Sequence, residues 1–239
     1  MQIAYWLPIG TDDAICGFVQ MRNEQYAPGE TIDREEPHAG VRAPAALPPS
    51  GKRIGERQLI GMMALLMALN ALGIDAVLPA LDNLASDLGV AGNSRQFVVG
   101  AYLLAAGLGA LVPGSLADRF GRRPVLFTSL GLYIAFSILC ALAWNFESLL
   151  TLRFLQGFGA AGIVALPPAI IRDRVGGDKM ARMMSLIFVI FLLVPAVAPS
   201  IGQGVLLLLG DWRWIFVAMA LLGVTMTVWV YVRLPETLH

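Results

Sequence analysis

The chain has 239 residues, 57% of them hydrophobic and 14% charged, with 17 basic and 17 acidic side chains and a mean hydropathy of +0.69. That balance excludes an ordinary soluble domain and demands a membrane. The two cysteines, Cys16 and Cys140, make neither a disulfide framework nor a zinc spacing, and the two histidines, His38 and His239, lie outside the apolar segments, so no metal site and no cofactor is expected.

Residues 1–57 are a different material from the rest. Pro28, Pro37, Pro44, Pro48 and Pro49 alternate with Glu30, Asp33, Glu35 and Glu36, and no apolar periodicity runs through them. The segment reads as a disordered cytoplasmic tail. A secretory signal is not expected, because the start is not basic and Asp12 and Asp13 interrupt any apolar run. Translation from Met21 is an alternative start that would leave residues 1–20 without a function.

Residues 58–239 form the membrane domain. A spanning helix needs about 20 largely apolar residues, and six segments qualify: 59–81, 97–117, 125–144, 149–171, 183–209 and 214–234. Lys52, Arg53 and Arg57 precede the first. Arg119, Arg122 and Arg123 fill the second loop, and Arg172, Arg174, Lys179 and Arg182 the fourth, whereas the odd loops carry only Arg95 and Arg213. This asymmetry puts both termini in the cytoplasm and Trp144, Trp212 and Trp214 at the outer boundary.

In the first span, Asp75 lies 16 residues beyond Leu59, about 24 Å up the helix and in the outer third of a core about 30 Å thick. An ionised carboxylate there must be paired, hydrated or protonated. Pro79 lacks the N–H that would bond the Asp75 carbonyl, so the helix is weakened at the acid. The alternative is an interfacial Asp that caps irregular backbone.

The turn between the second and third spans reads Gly114-Ser-Leu-Ala-Asp118-Arg119-Phe-Gly121-Arg122-Arg123. Gly114 is expected to let two helices approach closely, Gly121 to permit the turn, and the arginines to hold it on the cytoplasmic side. Asp118 sits at the partly negative C-terminal end of its helix, where a carboxylate needs compensation. The small residues Ala106, Ala110 and Gly114 read as a helix-packing stripe.

The fourth span starts near Leu149 and carries Arg153 about 6 Å below the outer surface, at nearly the depth of Asp75. Gln156 and Gly157 follow on the same helical face. A pair of opposite charges at one depth suits a proton-sensitive switch: protonation of Asp75 removes half of the pair and frees the helices to move. The other reading of Arg153 is a side chain snorkelling to the outer headgroups. In the fifth span, Pro195 and Pro199 each delete a helical hydrogen bond, and Gly202 and Gly204 permit bending and close packing, as a static kink or as a hinge.

The turn, with its spacing G-x-x-x-D-R-x-G-R-R, closely resembles the loop signature of the major facilitator superfamily. Arg153-Phe-Leu-Gln-Gly-Phe-Gly-Ala-Ala-Gly162 is similar to the family's fourth-helix motif, which implies a role for Arg153 and Gln156 in proton transfer. Asp75-Ala-Val-Leu-Pro-Ala80 resembles the D-x-x-L-P-A signature of drug/proton antiporters, in particular the Bcr/CflA multidrug-resistance subgroup. Pro195-Ala-Val-Ala-Pro-Ser-Ile-Gly202 looks like the fifth-helix antiporter motif, with Gln203 in place of its second glycine. Trp212-Arg-Trp-Ile-Phe216 and Pro235-Glu-Thr-Leu238 fit the end of the family's first half.

The resemblance implies an all-α integral membrane fold, six transmembrane helices built as an inverted 3+3 repeat, equal to the N-terminal half of a transporter whose substrate site lies between two halves. It implies proton-driven export of amphipathic small molecules across a bacterial inner membrane, with Asp118, Arg119, Arg122 and Arg123 gating the cytoplasmic side. The expected partners are the bilayer, protons, such substrates, and a second six-helix half or a homodimer copy. A non-transporting fragment from a truncated gene is the alternative. There is no G-x-x-x-x-G-K-S/T loop, no G-x-S-x-G and no basic aromatic platform, so an ATPase, a serine hydrolase and a nucleic-acid binder are not expected.

Overall fold

A computed structural model of the protein describes residues 55–90 and 92–233. The tail up to residue 54, the alternative start and the closing Pro-Glu-Thr-Leu lie outside the described residues. Every regular element among the described residues is helical: α1 (Glu56–Asp75), a 3-10 turn (Leu78–Ala80), α2 (Leu81–Asp87), a second 3-10 turn (Gly92–Gln96), α3 (Phe97–Gly109), α4 (Leu111–Phe120), α5 (Arg122–Ala141), α6 (Phe146–Arg174), α7 (Gly177–Leu209) and α8 (Arg213–Arg233). Five helical stretches are long and apolar enough to cross a bilayer, and six when the bent pair formed by α3 and α4 counts as one span.

Proline and capping chemistry explain the breaks. The first span is not a continuous helix over 59–81. Regular α-structure stops at Asp75, Ala76 caps it by donating to the Leu72 carbonyl, and Pro79 sits inside the 3-10 turn that follows. The second span bends by 43° between Gly109 and Leu111, a bend the apolar run alone did not foretell. Pro113 has no N–H to give the Gly109 carbonyl four residues back, which ends α3 at that glycine. α6 starts on a reciprocal cap, in which Asn145 accepts from the Ser148 N–H at 2.7 Å. α7 keeps both of its prolines, Pro195 and Pro199, inside one uninterrupted 33-residue helix.

The packing has an internal two-fold pattern. The second span packs on the fourth and the fifth on the first; the third packs on the fourth and the sixth on the first. Exchanging spans 1–3 with spans 4–6 maps one pair of contacts onto the other, as an inverted 3+3 repeat requires. Leu66, Leu126, Leu130, Ile163 and Phe216 fill the core between them.

Three small residues read as packing contacts lie elsewhere. Gly114 has open space where a Cβ would stand, and Ala110 is exposed, so that stripe faces outward. Gly204 also meets nothing. The close approaches run through Gly109 on α3, Gly157 on α6 and Gly202 on α7 instead. A Cβ at Gly157 would collide with the Tyr102 carbonyl, and one at Gly202 with the Ala76 carbonyl. Trp212 is buried within the protein, where its indole N–H donates to Asp87 at 3.1 Å, while Trp144 and Trp214 remain exposed.

Candidate functional site

Arg153 is wholly buried at the centre of the bundle. A guanidinium has five N–H donors and cannot shed its proton there, so each donor needs an acceptor. Nη2 donates to the Gly73 carbonyl at 2.9 Å, Nη1 to Gln156 Oε1 at 2.7 Å and Nε to the Val98 carbonyl at 3.2 Å. The guanidinium also lies 4.4 Å from the Tyr102 ring centroid and 5.5 Å from that of Phe216, within cation–π range. Snorkelling is therefore excluded in this arrangement.

Nor is Arg153 paired directly with Asp75. Its acceptors are two backbone carbonyls and an amide, and Asp75 makes no ion pair among the described residues. The geometric reason is the helix end. Beyond Leu72, which accepts from Ala76, the last-turn carbonyls of α1 lose their helical donors once the helix stops at Asp75, and Arg153 reaches one of them, at Gly73. The carboxylate is half-buried at the break itself. The two groups meet through the backbone of residues 73–75, not through a salt bridge.

A shell of hydroxyls and amides holds this arrangement in place. Gln156 Nε2 donates to Ser137 Oγ at 2.6 Å, and Ser137 Oγ donates to the Tyr133 carbonyl at 2.7 Å. The Tyr133 hydroxyl donates to the Leu69 carbonyl at 3.2 Å, and the Tyr102 hydroxyl to Asn70 Oδ1 at 2.9 Å. Both phenols converge on Gly73, where an added Cβ would stand 2.9 Å from one and 3.0 Å from the other. Asn70, Gly73, Tyr102, Tyr133 and Ser137 were not singled out from the sequence. Asn70, an amide inside an apolar run, was the one visible signal.

The second constellation lies at the opposite end of the bundle. Gly121 adopts a φ of 100°, in the range that favours glycine, and joins α4 to α5 directly. Arg122 is nearly buried and bridges two carboxylates: Asp118 one turn back at 2.8 Å, and Asp173 near the end of α6 at 2.9 Å. Asp118 thus finds its compensation within this unit. Asp173 was legible only as an acid inside a basic loop. Arg123 donates to the Tyr231 carbonyl at 3.0 Å and lies over the rings of Phe127 and Tyr231, whereas Arg119 lies over Phe120.

No cluster able to hold a metal occurs among the described residues. The buried network is built from carbonyls, amides and hydroxyls around one fixed cation. Such a centre can orient helices and sense a nearby charge, and it contains no nucleophile with an adjacent base.

The model of the Major Facilitator Superfamily matches residues 63–239, the whole of the helical bundle from within α1 onward. The chain belongs to the major facilitator superfamily. Membership makes it a multi-pass membrane protein of a transporter family, not an enzyme. It is 36% identical over 192 residues to the uncharacterized MFS-type transporter YdgK of Bacillus subtilis (strain 168), covering 80% of this chain and 47% of that one. It is 34% identical over 181 residues to the multidrug resistance protein MdtL of Escherichia coli O9:H4 (strain HS), covering 76% and 46%. A solved structure of the major facilitator proton:xylose symporter XylE, bound to 6-bromo-6-deoxy-D-glucose, superposes with a TM-score of 0.67 at 15% identity, over 76% of this chain and 45% of that one. The chain spans about half the length of these relatives.

Proposed function

We propose that this six-helix unit is one half of a proton-coupled exporter of amphipathic small molecules, of the drug/proton antiporter branch, working against a second six-helix body. The observation that carries the reading is the break of α1 at Asp75, with a fully buried Arg153 bonded to Gly73 beside it. A charge fixed inside a membrane bundle is costly and marks an ion or substrate path by default. The likeness to MdtL supports drugs as the substrate class, and the likeness to a proton symporter supports protons as the coupling ion.

In this reading Asp75 exchanges the proton. Ionised, it is drawn toward the positive field of Arg153; protonated, it loses that attraction, and the broken segment at residues 76–80 is free to shift against α7. Gln156 holds the guanidinium in register. Asp118, Arg119, Gly121, Arg122 and Arg123 gate the side of the turn. Gly202, packed on the Ala76 carbonyl, is the contact along which the fifth span moves past the first, with Pro79, Pro195 and Pro199 as the hinge positions in the two spans. The Lys/Arg asymmetry supports both termini in the cytoplasm, and the bacterial relatives support a bacterial inner membrane.

The unit is assayed with a second six-helix body present, in vesicles carrying a pH gradient and a fluorescent amphipathic substrate. Efflux that follows the gradient and disappears in Asp75→Asn, with insertion intact, is the expected result. Gradient-driven efflux unchanged in Asp75→Asn would reduce Asp75 to a structural residue at the helix break. No efflux by the wild-type pair would favour a non-transporting fragment.

A further inference from the structure

The exchange that maps spans 1–3 onto spans 4–6 also maps one arginine onto another. Arg122 is the first residue of α5, the third span, and Arg213 is the first residue of α8, the sixth. Each helix is entered through a turn with a positive-φ glycine, Gly121 at 100° and Gly210 at 76°. Arg122 bridges Asp118 on the second span and Asp173 at the end of the fourth. Arg213 bridges Asp211, just past the end of the fifth span, at 3.6 Å and Asp87, in the stretch that continues the first, at 2.8 Å. The second span answers to the fifth and the fourth to the first, so both carboxylates correspond.

A backbone acceptor corresponds too. Arg213 Nη2 donates to the Ala143 carbonyl, just past the end of the third span, at 3.4 Å. Arg123, beside Arg122, donates to the Tyr231 carbonyl near the end of the sixth. An inverted repeat turns its second copy over, which puts the two sets at opposite ends of the bundle. The Arg213 set lies at the end that holds the Asp75 break.

Asp87 gives this set its hold on the broken span. It is the last residue of α2, so its carboxylate sits at the partly negative end of a helix and needs a cation. Its Oδ2 accepts from Arg213 at 2.8 Å and from the buried Trp212 indole at 3.1 Å, and the guanidinium lies 4.5 Å from the Trp212 ring centroid. Arg153 therefore holds the first span just before the break, at Gly73, and Arg213 holds it beyond the break, at Asp87. Asp82, also on α2, pairs with Arg95, which ties α2 only to the turn ahead of α3.

We propose that Arg213 is the counterpart of Arg122 at the other end of the bundle, a clasp that fastens the segment beyond the Asp75 break to the third and sixth spans and limits how far that segment swings. A span interrupted by a 3-10 turn has lost the hydrogen-bond ladder that would keep its two parts in line, and the clasp restores the alignment from outside the helix. It requires only the six-helix unit, not that the unit transports.

The test is hydrogen exchange of the purified full chain in detergent, read over residues 76–88 and, at the other end, over residues 114–128. Arg213→Gln is expected to raise exchange about fivefold over 76–88, the worth of about one lost bond, and to leave 114–128 unchanged. Arg122→Gln gives the reverse pattern. Trp212→Phe keeps a ring under the guanidinium, loses only the indole N–H and gives a smaller rise in the same place. Asp87→Asn gives the same local rise as Arg213→Gln, and the two together add little to either alone, as the halves of one contact do. No rise over 76–88 in Arg213→Gln, an equal rise at both ends, or fully additive rises in the double variant overturns the clasp.

Discussion

Arg153 on the fourth span donates to the Gly73 carbonyl on the first at 2.9 Å, two residues short of Asp75. One bond therefore joins the most expensive charge in the bundle to the place where its first helix ends. The carbonyl is available because Pro79 and the 3-10 turn stop α1. Gly157, one turn along from Arg153, brings the backbone of α3 close enough for the Val98 carbonyl to take a second bond.

Arg153→Ala is expected to destabilise the unit by about 2–5 kcal/mol, since it leaves a cavity and removes the partners of Gly73, Val98 and Gln156. Arg153→Met keeps most of the volume and should cost less, about 1–3 kcal/mol. The difference is read by unfolding in detergent. Two variants as stable as the wild type would mean that the guanidinium is not held in this network.

The architecture was legible because apolar run length and charge placement act over many residues, so no single side chain decides them. The contacts were not. Arg153 and Asp75 stand at matching depths, and depth alone suggests a salt bridge. Depth says nothing of azimuth, and the orphaned Gly73 carbonyl offered an acceptor that a reading of side chains overlooks. Gly114 and Gly202 look equally suited to close packing in the sequence, yet only Gly202 meets a neighbour. The bend at Gly109 was hidden because Pro113 lies inside an otherwise uniform apolar run.

Gly202 yields a steric prediction. Its missing Cβ is what admits the Ala76 carbonyl at the break of α1. Gly202→Ala should force α7 away and cost about 1–3 kcal/mol, or more with a larger side chain. Gly204→Ala, with nothing within 4 Å, should be neutral or slightly stabilising by about 0.5–1 kcal/mol, because alanine favours a helix interior. Equal effects at the two positions would mean that α7 does not rest on the broken segment.

Topology is checked by labelling. Asn93 is exposed in the turn before α3, and Gly176 is exposed at the start of α7 with room for a Cβ. With Cys16 replaced and Cys140 buried, Asn93→Cys should react with an impermeant maleimide from outside the cell. Gly176→Cys should react only after permeabilisation. The reverse pattern would invert the orientation, and the depth assigned to Asp75 with it.

Arg122 offers the sharpest test of the opposite end. Its side chain is 10% exposed, against 33% for Asp173 and 68% for Asp118. Solvent screens the Asp118 contact, an i,i+4 pair on one stretch of chain, so a double-mutant cycle with Arg122→Gln and Asp118→Asn should return about 0.5 kcal/mol or less. The Asp173 contact is better shielded and joins α5 to the end of α6, so the cycle with Asp173→Asn should return a larger coupling, about 1–3 kcal/mol. Both cycles are read from unfolding in the same detergent. That ordering would make Arg122 chiefly a tie within the bundle, with the exposed Asp118 carboxylate left able to meet a second body at little cost. A larger coupling to Asp118 would instead bind that carboxylate to its own turn and remove it from any gate.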